Sequence, residues 1–271
     1  MASRPTRSLL EATSALPLEN GSPDRFMARN SSDWCTQQYT QPSLATPSTE
    51  AIVKYPDPIH IDLALLRESE PGHGETQQSP ACIAIATFAN LDKERGLTQD
   101  RTPSKPVGAH PFPSRETECV TIDDPVVGAT PVTRKLPWVA PRSADGLWGH
   151  RLGGHQREVW LSFRDGSPIS DLLHLALLAD TPLQPPATHT AGFYARHALS
   201  TLCLSVEFKT RPGLDTKWVL VRSNSHRFVD GRYDVNIQIL DEDGEIPALS
   251  NQVVYISDLR TNLEMTKTAK M

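Results

Sequence analysis

Residues 169–180 read ISDLLHLALLAD, and this stretch decides the fold. Its leucines at 172, 173, 175, 177 and 178 do not keep to one helical stripe. A helix that is apolar on nearly every face belongs in an interior, not on a surface. Ser167 as N-cap and Pro168 in the first helical position mark its start. Thr181-Pro182 ends it just after Asp180. Before it, Val159-Trp160-Leu161-Ser162-Phe163 alternates as a strand, and Asp165-Gly166 makes a turn. After it, strands are expected over Leu199–Phe208, Trp218–Ser225, Tyr233–Leu240 and Ala248–Ile256, with Asp230-Gly231 and Asp243-Gly244 as hairpin turns. One long helix followed by an antiparallel meander, without strand–helix alternation, is an α+β arrangement and excludes a doubly wound sheet.

The rest of the chain is less regular. Residues 1–24 read as a disordered N-terminus. Within 25–98, Pro58–Leu66 alternates Ile59, Ile61, Leu63 and Leu65 against His60, Asp62 and Ala64, a half-buried strand pattern. Ala81–Phe88 is a second strand-like run. Most of the 23 prolines precede residue 142, so the deficit of core is local, and 99–150 reads as a Pro-rich linker. Residues 151–258 carry the main domain and 259–271 a tail.

Composition excludes several classes. A net charge of −5 without a basic stripe gives no reason to expect a nucleic-acid partner. No run approaches the 18 or so apolar residues of a membrane span, and the N-terminus lacks a signal peptide's continuous apolar stretch. Cys35, Cys82, Cys119 and Cys203 are scattered without CxxC spacing, which suggests a reducing compartment and no structural zinc. The sequence has no GxSxG elbow, GxGxxG turn, Walker loop or HExxH pair, so no cofactor or metal is expected. His150 and His155 read as surface histidines, Asp241-Glu242-Asp243-Gly244 as a hairpin rather than a calcium loop, and Trp160, Phe208 and Trp218 as packing residues.

Five elements now stand in order: Phe163-Arg164-Asp165-Gly166, Leu177-Leu178-Ala179-Asp180, Ser200-Thr201-Leu202 leading to Phe208, Asp241-Glu242-Asp243-Gly244, and Ala248-Leu249-Ser250-Asn251-Gln252. Over about 100 residues this order resembles the second hotdog of double-hotdog acyl-CoA thioesterases. The resemblance implies a hotdog fold, an antiparallel sheet wrapped around a central helix, and hydrolysis of an acyl-CoA or acyl-carrier thioester by activated water. It further implies that Asp180 accepts the water's proton while Thr201 and Gln252 orient it. Taken singly, Asp180 reads as a helix-end polar residue, Thr201 as a β-branched strand residue and Gln252 as a solvated strand residue.

The first half resembles the family's first hotdog more faintly, through Asp33-Trp34-Cys35, Tyr55 to Arg67 with Glu70-Pro71-Gly72, and Ala84 to Phe88 with Asn90-Leu91-Asp92. The family's Gly-Gly-containing central helix is missing: TQQYTQPSLATPSTE stands there instead. The two middle strands have no room between Gly72 and Ala81. The expectation is a degenerate double hotdog of the fungal thioesterase-like type, with an eroded unit at 25–98. The edge that this leaves uncovered on residues 155–258 would pair two copies about a two-fold axis. Two other functions compete: a non-catalytic hotdog that binds an acyl chain, and a hydrolase or acyl-transfer helper in specialised, polyketide-type metabolism. The terminal Ala269-Lys270-Met271 is a variant of the Ser-Lys-Leu address, which sets a peroxisomal expectation against a cytoplasmic one.

Overall fold

The computed structural model describes residues 112–122, 131–141, 148–149, 154–186, 193 and 196–258, together with five earlier strand segments and Leu91. The sequence readings at Asp33–Cys35, at the missing helix, at His150 and at Ala269–Met271 lie outside the described residues. The chain divides into two compact units, residues 1–99 with 130–132, and residues 100–129 with 133–271.

In the first unit, β1 (Ala15–Pro17) pairs antiparallel with β2 (Phe26–Ala28). Part of the stretch read as a disordered terminus is therefore strand. A second sheet has the order β3–β4–β5, with β3 at Glu50–Ile52, β4 at Ile59–Glu68 and β5 at Gln78–Phe88. Its long hairpin puts Ile59 opposite Phe88 and slips by one residue after Leu65–Cys82, where Leu66 meets Pro80. Proline lacks the N–H that a regular ladder uses, so a bulge beside it is expected. On β5, Ile83 and Ile85 are exposed.

The second unit holds one continuous antiparallel sheet, in the order β6–β7–β8–β10–β12–β13–β9, with β11 paired to β12. Its strands are β6 (Cys119–Thr121), β7 (Trp138–Pro141), β8 (Gln156–Leu161), β9 (His197–Phe208), β10 (Val219–Asn224), β11 (Phe228–Val229), β12 (Arg232–Leu240) and β13 (Ala248–Asp258). The four strands expected after the helix are present. The supposed linker, however, supplies β6 and β7, which extend the sheet beyond β8. These strands are only three and four residues long, too short to show a periodicity. Leu136 and Trp138 are buried and anchor them.

Helix α1 runs Leu172–Ala179, later than expected. Asp171, not Ser167, is the N-cap, and its carboxylate accepts from Leu173 N at 2.8 Å. Ser167 is taken up by the preceding turn, where its N–H and its hydroxyl both donate to Asp165 Oδ1, at 2.9 and 2.6 Å. Ile169 N then donates to Thr216 O at 2.7 Å, and 168–170 stay outside the helix. The helix packs on β9, β12 and β13. Leu175, Leu178 and Ala179 are sealed, whereas Leu173 is 49% exposed. The sheet thus covers one side of an apolar helix and leaves the other partly open. Each leucine fully buried in this way contributes about 1.5–3 kcal/mol.

Both faces of the sheet are used. Alternation sends Val159, Val221, Val235, Ile237, Ile239 and Val254 to a buried face. The opposite face gathers Trp160, Leu220 and Leu240 with Cys119, and Phe112, Trp218 and Ile246 close over them. Residues 112–118 strap this second layer. Trp160 Nε1 donates to Pro113 O at 3.0 Å, and the Arg115 guanidinium lies 4.7 Å from the Trp218 ring centre while pairing with Glu242 at 2.7 Å.

Tight turns set the register. Asp230 and Gly231 both have positive φ, 50° and 77°, as a two-residue hairpin of the mirror-image type requires. Gly244 (φ 93°) lies against Phe112, where a Cβ would come within 2.6 Å of the ring. Gly244→Ala should therefore cost about 1–3 kcal/mol of stability in urea unfolding, from backbone strain and the clash together. Phe112→Ala in the same chain should recover part of that loss. A neutral Gly244→Ala would show that the strap does not sit on this hairpin.

Candidate active site

The site is built where α1 ends. Asp180 is the C-cap: its N–H closes the last turn on Leu177 O and Leu178 O, and its side chain leaves the helix axis there. Across from it, β13 presents Gln252 at a buried position, 3% exposed, flanked in register by Val235 on β12 and Leu204 on β9. Gln252 Nε2 donates to Asp180 Oδ1 at 3.0 Å and to Ala179 O at 3.2 Å. Both contacts are acceptors, so the amide nitrogen is the end that faces them. One side chain thus ties the sheet to the end of the helix and to the carboxylate it carries.

Asp180 has two unlike sides. Oδ1 is held by Gln252, while the residue as a whole keeps an exposed surface, and Oδ2 takes no hydrogen bond among the described residues. Burial pushes the carboxyl above its ordinary value, and the Gln252 amide draws it part of the way back. A carboxylate with one anchored oxygen, one free oxygen and raised basicity can take a proton from a water molecule.

The third expected residue is close in register but not bonded. Val253 pairs with Cys203, and Val254 with Thr201, so Leu202 is the extra residue of a β-bulge. The bulge brings Thr201 opposite Val254, the next buried position along β13 from Gln252. Thr201 is exposed, and its hydroxyl bonds to neither Asp180 nor Gln252. The structure therefore joins two of the three residues and sets the third on the neighbouring rung of the sheet's last strand.

Two groups beside this pair were not singled out from the sequence. The Ala179 carbonyl is a main-chain group with no residue-type signal. Ser250, two residues before Gln252, is 2% exposed, and among the described residues its Oγ has no hydrogen-bond partner; Gln252 Oε1 is likewise buried without one. Among the described residues, no three His, Cys, Asp or Glu side chains come together as metal ligands. No helix there is long and apolar enough to cross a membrane.

An antiparallel sheet wrapped on one apolar helix is the hotdog arrangement, and the comparisons agree on that fold. Residues 108–256 match the family model of the acyl-CoA thioesterase C-terminal domain, and the chain belongs to that family. A conserved protein of unknown function with a hotdog fold from Alicyclobacillus acidocaldarius is similar in structure, with a TM-score of 0.63 at 14% identity, over 93% of this chain and 98% of that one. A thioesterase II from Thermobifida fusca, assigned only provisionally, gives 0.60 at 14% identity, over 94% and 100%. The acyl-CoA thioesterase II TesB2 of Mycobacterium marinum gives 0.53 at 18% identity, over 79% and 74%. At these identities the likeness shows the fold, an α+β hotdog. The thioesterase-like protein TwmA of Talaromyces wortmannii is 35% identical over 63 residues, which span 23% of this chain and 18% of that protein.

The raised affinity of Asp180 for its proton has a consequence for stability. The folded state holds the neutral carboxyl better than the unfolded chain does, so this contribution is full below about pH 3.8. It is lost as pH rises through the folded-state value. Asp180→Asn keeps an acceptor for Gln252 and removes the charge. It should melt at a higher temperature than the wild type at pH 7, and the gap should close as pH falls towards 4. Equal melting temperatures at pH 7 would mean that the charge costs the fold nothing.

Proposed function

We propose that this protein hydrolyses acyl thioesters, on coenzyme A or a carrier protein, with water activated by Asp180. The observation that carries the reading is the Gln252–Asp180 hydrogen bond at the end of a helix sunk in the sheet. Water gives one proton to Oδ2 of Asp180 as its oxygen attacks the thioester carbonyl. The tetrahedral adduct collapses with cleavage of the C–S bond. The proton held by Asp180 passes to the departing thiolate, which restores the carboxylate. Gln252 fixes the carboxylate's direction, and Thr201, one rung away, offers the water a second hydrogen bond. A protein that only held an acyl chain would gain nothing from a carboxylate kept in a basic state at this point, so the hydrolase is favoured over the acyl-binding reading.

Pairing of two copies through the β9 side belongs to the same proposal. β9 is the last strand of its sheet, Leu202 and Leu204 on it are exposed, and α1 is covered on one side only. Open edges and apolar faces of this kind associate, and light scattering of the purified protein should give twice the chain mass.

The chemistry is tested by acyl-CoA hydrolysis over a range of chain lengths. Asp180→Asn should lower kcat by about 10²–10⁴, the usual share of a general base, and leave KM nearly unchanged. Exhaustive chelation with EDTA should leave the wild-type rate intact. An Asp180→Asn variant as fast as the wild type would refute the assignment of the base.

A further inference from the structure

Two buried polar atoms at the site have no partner among the described residues: Gln252 Oε1 and Ser250 Oγ. Such atoms are uncommon in folded proteins, and each leaves a desolvation cost of about 1–3 kcal/mol unless it is met. Here they share one strand and one face. Ser250 is opposite Ile237 and Val206, and Gln252 is opposite Val235 and Leu204. Residues two apart in a strand point the same way, about 7 Å apart along it. The Gln252 carbonyl can only accept, whereas a serine hydroxyl can donate or accept. No direct hydrogen bond joins them, so a link between the two runs through a water.

We propose that Ser250 is a positioning residue: its hydroxyl, through one bridging water, holds Gln252 Oε1 and so keeps the Gln252 NH₂ on Asp180. An amide has two ends of similar size, and Gln252 meets acceptors at one of them, Ala179 O and Asp180 Oδ1. If its other end is free, the amide can turn and set its carbonyl oxygen against the carboxylate. That repels the charge which the amine end stabilises. Ser250 prevents the turn by giving the carbonyl end a bond of its own. The catalytic consequence rests on the proposed hydrolysis, but the positioning does not.

The test separates the two. The Asp180 carboxyl is titrated by carbon-detected NMR in the wild type, Ser250→Ala, Gln252→Ala and the double variant, with a thermal melt of each to confirm folding. Burial raises this carboxyl and the Gln252 amide lowers it, so loss of the amide's hold reads on the midpoint. Gln252→Ala should raise the Asp180 titration midpoint. Ser250→Ala should raise it by a smaller amount with Gln252 present and not at all without it. In acyl-CoA hydrolysis, Ser250→Ala should lower kcat about tenfold at unchanged KM, and its acid limb should move up with the midpoint. A midpoint that Ser250→Ala leaves unmoved, or moves equally with and without Gln252, overturns the positioning role. A wild type that cleaves no thioester, with the titrations as expected, overturns the hydrolase and leaves Ser250 where it is proposed to act.

Discussion

A helix without a polar face has to be covered, and the second unit is organised by that constraint. LLHLALLA cannot lie on a surface, so the sheet curls over it and turns its apolar side chains inward. Covering the helix fixes where it stops, and the first polar residue after the apolar run is Asp180. The carboxylate is therefore set at the rim of the core by the length of the run. Gln252 completes the placement from the opposite side. Its side chain spans the gap between sheet and helix and closes on the last helical carbonyl as well as on the acid.

The second layer shows how such a sheet stays in shape while one face is given over to the helix. Trp160, Leu220 and Leu240 would be an exposed apolar patch if the 112–118 strap did not cover them. Farther along the same face the residues turn polar and pair across the strands: Glu158 with Arg222 at 2.7 Å, and Asn236 with Asn251. Glu158 is fully buried, so its arginine is required to offset the loss of water around the charge. The strap thus protects only the part of the outer face that needs it.

Much of this was legible in the sequence because it depends on residue type at element ends. An all-apolar helix, alternating strands and two Asp-Gly turns each have a local physical cause and give the meander directly, whereas Asp180 and Gln252 stood out only through the family resemblance. What escaped depends on competition or on partners far away in the chain. Ser167 and Asp171 are both good caps, and the choice between them was made by Asp165, which claims Ser167 for a turn. β6 and β7 are too short to carry a pattern, and proline around them suggested a linker; their strand character comes from the sheet they join. The position of Thr201 depends on a bulge at Leu202, and a one-residue slip decides which side chain meets Val254.

The bulge also bears on how such a site can be tuned. Asp180 and Gln252 are held by the core, and neither can move without disturbing the helix end. Thr201 is on the terminal strand, exposed, with a register set by a single inserted residue. An edge strand can slide or twist at far less cost than a central one, because only one neighbour constrains it. In the proposed mechanism the acid and its amide are thus the fixed part of the site, and the Thr201 hydroxyl is the adjustable part. In that mechanism a change at β9 or at the open side of α1 acts on the adjustable part, and alters how water is oriented without touching the carboxylate that would activate it.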